Sequence, residues 1–274
     1  MESQNNKQTI RQDFVYPELN DEHRTYGGSF LNNPIVNPTG EWRKALPLPE
    51  EQRRNKIESS ACFIEAQQHV IATIEEFRLN EIDNNYSARF NARLSDSTRW
   101  GGDPIVGADS IRHDGLVREE SMPFDNSLLS WEDFHSWKGI NETKVRAEGQ
   151  KDISIKDRNF GVIVEKHFPL NTKYELLRQG LLRSPICMSV WGGTDADGNY
   201  LPKPDGVDDT HMVEATCLDG NVIHILDTYP PFEKTLPPNY NFDFAMGWTV
   251  SKKVIPKQST FWQSLLNKIK SWFI

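Results

Sequence analysis

Apolar residues recur every three to four positions from Cys62 through Ala66, Val70, Ile74 and Phe77, with Glu65, Gln67, Gln68 and Glu75 between them. That period predicts an amphipathic helix of about four turns. Ser59-Ser60 just ahead of it reads as an N-cap cluster. Shorter helical patterns follow at residues 87–94, 105–113 (closed by Gly115 as a C′ glycine), 131–148 and 170–182 (ending near Gly180). Trp100-Gly101-Gly102-Asp103-Pro104 reads as a turn. After Ser184 the pattern changes. Residues 185–191, 211–218, 221–227 and 244–250 read as strands, and Asp219-Gly220 is a hairpin turn between two of them. Helices followed by antiparallel strands define an α+β arrangement. No internal repeat is visible.

The flanks differ from this middle. Residues 1–40 are polar and rich in Asn, Pro and Gly, which predicts an extended arm. Residues 41–58 are charged and read as loop. At the other end, Phe261, Trp262, Leu265, Leu266, Ile269, Trp272 and Phe273 share one face at helical period, opposite Gln263, Asn267, Lys268, Lys270 and Ser271. Pro256 separates this stretch from the strands. The expected division is an arm over 1–40, a domain over 41–255 and an amphipathic helix over 256–274. Lys mixed with Trp and Phe is the make-up of an interfacial helix. Residues 259–274 can pack on the domain or a neighbouring subunit, on a partner protein, or on lipid, and the arm is a second attachment device.

At 274 residues the chain is long enough for a full core. Its net charge of −8, with no basic stripe, argues against a nucleic-acid partner. No apolar run reaches the ~20 residues of a membrane span. The first residues lack a basic and apolar leader, so synthesis in the cytoplasm without a secretory signal is expected. Three unclustered cysteines, Cys62, Cys187 and Cys217, suit neither a disulfide framework nor a zinc site. No H-E-x-x-H spacing occurs, and no metal or cofactor is expected.

Candidate chemistry centres on Cys62. It falls in the first turn of the predicted helix, where the macrodipole favours a thiolate. His211 and Asp227 lie at the start and end of predicted strands. Each has a plain structural reading: a core thiol, a satisfied histidine, a turn-capping aspartate. Gly101-Gly102 can be turn geometry alone, Gln52 can face solvent, and Cys187 and Cys217 read as inert core.

The order of landmarks resembles the papain-like cysteine peptidases over roughly residues 40–250. Glu41-Trp42-Arg43 resembles the start of the mature family domain, and Ser59-Ser60-Ala61-Cys62-Phe63 its nucleophile motif. Trp100-Gly101-Gly102 resembles the glycine pair of the substrate cleft. Gly115-Leu116-Val117 through Met122-Pro123-Phe124, Ser184-Pro185-Ile186 with Ser189-Val190, and Thr210-His211-Met212-Val213 resemble later family segments. Ser59, Ser60 and Phe63 depart from the nucleophile signature, and Asp227 stands where the family usually has Asn. The resemblance is to divergent phage and bacterial members.

It implies a papain-like α+β fold, a helical half packed on an antiparallel sheet or barrel half with the cleft between them. It also implies Cys62 as nucleophile, His211 as its proton partner and Asp227 as orienter of His211. The oxyanion donors would be the Cys62 N–H and Gln52, with Asn55 as rival, and Gly101 and Gly102 would bind substrate. The expected activity is thiol hydrolysis of a peptide or isopeptide bond in a peptide or protein substrate. Acyl transfer uses the same groups. The other expectation is a papain-like structural or binding module of weak or no activity, for example a virion-associated phage protein.

Overall fold

The computed structural model describes residues 14–19, 30–54, 56–82 and 84–253. The expected helix over 256–274, like Asn55 and much of the arm, lies outside the described residues. A 3-10 turn at Arg43–Ala45 and a two-residue hairpin, β1 (Arg53–Arg54) with β2 (Ile57–Glu58), occupy the stretch expected as loop. They lead into α1 (Cys62–Leu79), α2 (Ala88–Leu94) and α3 (Pro104–Asp114). Gly115 ends α3 at φ +83, as its C′ position predicts.

The single helix expected over 131–148 is two, α4 (Trp131–Phe134) and α5 (Glu142–Ile155). Capping explains the break. The Ser130 side chain accepts from the Asp133 N–H, the Asn141 side chain accepts from the Lys144 N–H, and Gly139 turns between them at φ +73.

The rest of the chain gives β3 (Lys156–Val164), α6 (Leu170–Leu181), β4 (Ile186–Val190), β5 (His211–Asp219), β6 (Val222–Leu226), β7 (Glu233–Thr235) and β8 (Ala245–Lys252). Six strands form one sheet in the order β3-β8-β4-β5-β6-β7, with every neighbour antiparallel. Strand β3 escaped the sequence pattern because two of its inward positions are Lys156 and Arg158. Both are buried and both reach Glu75 of α1, each at 2.8 Å.

Helix α1 corrects the amphipathic expectation. It is buried without interruption from Cys62 to Glu75. Helices α2 and α3 pack on one side of it, and β4, β5 and β8 on the other. Several of its polar residues are matched internally, while Glu65 Oε2, Gln67 Oε1 and His69 Nδ1 have no hydrogen-bond partner among the described residues. Gln68 Nε2 donates to the Ser87 carbonyl and to Asn91 Oδ1, both at 3.1 Å, and Thr73 Oγ1 donates to Glu214 Oε1 at 2.9 Å. The expected serine cap is also absent. The N-cap is Ala61 with no side-chain bond, while Ser60 (φ +54) donates its hydroxyl to the Arg99 carbonyl at 2.9 Å. One apolar cluster fills the space between α1 and the sheet, and a second, around Trp42, Leu177, Ile186 and Phe242, lies beneath α6.

Glu214 of β5 is fully buried against α1, and its Oε2 has no partner among the described residues. Burial pushes its carboxyl up to about 8. The native state thus holds a proton that the unfolded chain releases near the ordinary carboxylate value. Stability should fall as pH rises from about 4.5 through 8. Glu214→Gln should remove that slope. The variant is expected to melt near the wild type at pH 5 and to exceed it at pH 9 by on the order of a few kcal/mol. Parallel melting curves across that range would contradict the assignment.

Candidate active site

Cys62 is the first residue of α1 and has no exposed surface. The loop before it is gripped from the helical half. His135 Nε2 lies 3.0 Å from the Ser59 carbonyl and its Nδ1 lies 3.0 Å from Ser97 Oγ. A donating Nε2–H and an accepting Nδ1 satisfy both contacts with a neutral ring. Burial holds that ring neutral by depressing His135 to about 4. Trp131 stacks on it with ring centroids 4.0 Å apart.

The sheet half supplies the second group. His211 opens β5 opposite Val190 of β4, and its Nε2 lies 2.8 Å from Asp227 Oδ1. Both residues are fully buried. Oδ1 also accepts from the Thr228 N–H at 2.7 Å, and Oδ2 accepts from Tyr200 Oη at 2.9 Å and Lys234 Nζ at 2.9 Å. The Tyr229 ring covers His211 at 5.4 Å. His211 Nδ1 has no hydrogen-bond partner among the described residues. With Nε2 committed to the carboxylate, Nδ1 is the nitrogen left to exchange a proton with a reacting group.

The structure therefore joins His211 to Asp227 directly. Helix α1, which begins at Cys62, packs against β5, and Cys62 shares an apolar cluster with Met212 of that strand. Gln52 is buried rather than solvent-facing. Its N–H donates to the Thr228 carbonyl at 3.1 Å, its Oε1 accepts from Thr228 Oγ1 at 3.0 Å, and its Nε2 donates to Glu58 Oε1 at 2.8 Å. Tyr229 Oη donates to the other Glu58 oxygen at 2.6 Å. These bonds tie the hairpin before Cys62 to the strand end after Asp227.

Gly102 lies flat on Phe63, where an added Cβ would sit 2.4 Å from the ring, so only glycine fits. Gly101 has φ +88. The chain's own arm occupies this edge. Phe14 pairs with Gly102 in a parallel bridge, the Val15 N–H donates to the Gly102 carbonyl at 3.2 Å, and the Phe14 ring packs 6.2 Å from Phe244. Tyr16 Oη accepts from the Lys166 N–H at 3.0 Å. A cleft of about 840 Å³ opens beside Ser60, lined by Lys56, Glu58, Trp100, Trp131 and Tyr229 among others. Cys187 and Cys217 are buried away from it, and burial pushes both thiols up, Cys217 to about 11. Among the described residues no group of three or more His, Cys, Asp or Glu side chains is placed to hold a metal ion.

This architecture is similar to that of solved cysteine proteases. Xylellain, a cysteine protease from Xylella fastidiosa, superposes with a TM-score of 0.56 over 89% of this chain and 97% of its own, at 12% identity. The ragweed pollen allergen cysteine protease in its proform has a TM-score of 0.56 over 80% of this chain and 68% of its own, at 13% identity. A Carica candamarcensis cysteine protease in complex with E-64 has a TM-score of 0.56 over 76% of this chain and 96% of its own, at 12% identity. No protein-family model and no curated protein matches the sequence. The fold is the papain-like cysteine peptidase fold, in a divergent sequence.

Three residues of the site carried no sequence signal. His135, Tyr200 and Lys234 sit in stretches with no motif, and only the fold brings them to the loop before Cys62 or to Asp227.

Phe14→Ala should loosen the arm. Amide exchange at Val15 should rise by on the order of tenfold, since a bond worth about 1 kcal/mol and an aromatic contact are both weakened. Unchanged exchange at Val15 would show that Phe14 does not hold the segment.

Proposed function

We propose that the protein is a thiol hydrolase that cleaves peptide or isopeptide bonds through Cys62, His211 and Asp227. The observation that carries this reading is the fully buried His211–Asp227 pair, with Nδ1 left to a reacting group, on a papain-like fold whose helix begins at Cys62. In this reading the Cys62 thiolate attacks the scissile carbonyl carbon, and imidazolium Nδ1–H protonates the departing amine. A water then gives its proton to Nδ1 and attacks the thioester, which releases the acid and restores the thiol. The Cys62 N–H and Gln52 Nε2 serve the oxyanion, the latter sharing its protons with Glu58. The pairing of Phe14 with Gly102 supports a substrate in extended form, since that edge accepts a strand.

A second reading is favoured by the same arm. Cys62 has no exposed surface and the Gly102 edge is filled, as suits a binding module that keeps the fold without turnover.

Iodoacetamide labelling against pH separates the two, with mass spectrometry assigning the labelled cysteine. The hydrolase reading expects Cys62 to react on the order of tenfold or more faster than a free thiol at pH 6, and Cys62→Ala and His211→Ala to abolish that labelling. Phe14→Ala should raise the rate further. A rate that climbs only near the free-thiol value of about 8.5 favours the binding module.

A further inference from the structure

Strand β7 places one side chain inward, and it is a lysine. Glu233 and Thr235 are exposed, while the Lys234 side chain retains 2% of its surface. A lone ammonium at an inward position of a sheet edge is costly unless a buried anion meets it. That anion is Asp227. Lys234 Nζ lies 2.9 Å from Asp227 Oδ2, donates to the Gly198 carbonyl at 3.1 Å, and sits 5.2 Å over the Tyr200 ring. Tyr200 Oη donates to the same Oδ2, so the second carboxylate oxygen is clamped from two sides. The first oxygen holds His211.

We propose that Lys234 is a positioning residue that makes the buried Asp227 carboxylate act toward His211 as a nearly uncharged hydrogen-bond acceptor. The inference rests on the hydrolase reading of the site. A bare buried carboxylate on one ring nitrogen would favour the imidazolium strongly and hold its proton against the leaving group. An ammonium on the other oxygen offsets that charge while leaving Oδ1 as acceptor. The Asp227–Lys234 pair is then the electrical equivalent of the neutral amide that the resemblance places at position 227.

Other charged or titratable groups reach the pair less directly. From α1 come Cys62 and His69, the latter held neutral by burial at about 4 despite the field of Asp227. From the hairpin comes Glu58, which acts through Tyr229 Oη and Gln52 Nε2. On β5 itself, Glu214 is held neutral by burial.

The test is the pH profile of Cys62 alkylation in the full chain, with wild type, Lys234→Met, Lys234→Arg and the double variant Asp227→Asn with Lys234→Met. Lys234→Met should move the alkaline limb of the profile, where the imidazolium loses its proton, to higher pH by roughly one unit, because the uncovered carboxylate stabilises the imidazolium. Lys234→Arg should leave it in place. The double variant, with a neutral pair, should return to the wild-type midpoint, and it decides the matter if the single variant does not fold. A lysine that served only stability would lower the melting temperature of Lys234→Met and leave its profile unmoved, and that result overturns the inference. So does a double variant displaced as far as the single one. Wild-type protein without labelling at low pH, judged against Cys62→Ala, removes the hydrolase reading itself and this inference with it.

Discussion

Helix α1 has no solvent face over its first four turns, and much of the structure answers to that constraint. A buried helix cannot leave its polar side chains to water, so they are met from the packed layers or kept uncharged. Glu75 shows the result. Lys156 and Arg158 of β3 both reach it, and Tyr86 Oη and Asn84 Nδ2 complete its shell. Those contacts pin the far end of the helix to the sheet edge. At the near end, burial and the neighbouring Glu50 carboxylate raise Glu65 well above the ordinary carboxylate range, which keeps a second acidic group uncharged inside the fold. A helix held this way cannot rotate or slide, so Cys62 stays fixed relative to β5.

The two halves then fix the chemistry by different means. The helical half orients backbone: His135 grips the Ser59 carbonyl and Ser60 takes a left-handed conformation just before Cys62. The sheet half orients a side chain through a chain of charge-assisted bonds from Lys234 to Asp227 to His211. Gln52 and Glu58 cross between the halves. In the proposed reading, strength within one half does not replace the other, because a nucleophile and its proton partner contribute only at a mutual spacing set by both.

The sequence pattern revealed the parts whose periodicity is undisturbed. Strands β4, β5, β6 and β8 and helices α2 and α3 carry regular apolar spacing and clear punctuation such as Asp219-Gly220 and Gly115, and they lie where the pattern puts them. The pattern failed where burial recruited polar residues. Lys156 and Arg158 hid β3, and Glu65, Gln67 and Gln68 disguised a helix buried from Cys62 to Glu75 as an amphipathic one. Cys62, His211 and Asp227 stood out through the order of motifs. Lys234 and His135 did not, because their roles depend on which backbone passes beside them, and no spacing in the chain encodes that. Gly102 was legible as a glycine, but its reason, the flat contact with Phe63, is a packing fact.

The arm on the Gly102 edge bears on how such a site could work. One backbone bond from Val15, the Phe14 ring against Phe244 and the Tyr16 hydroxyl bond to Lys166 hold residues 14–16. Each contact is worth about 1–3 kcal/mol, while fixing each residue's backbone costs about 1–2 kcal/mol. Phe14 is also buried in the apolar cluster beneath α1, so burial anchors the segment beside these bonds. A competing extended chain would have to offer the same backbone donor and its own apolar side chain to take that place. In the proposed reading, the fold combines a centre held at Cys62 and His211 with a cover attached by contacts of the same kind as a substrate strand would make.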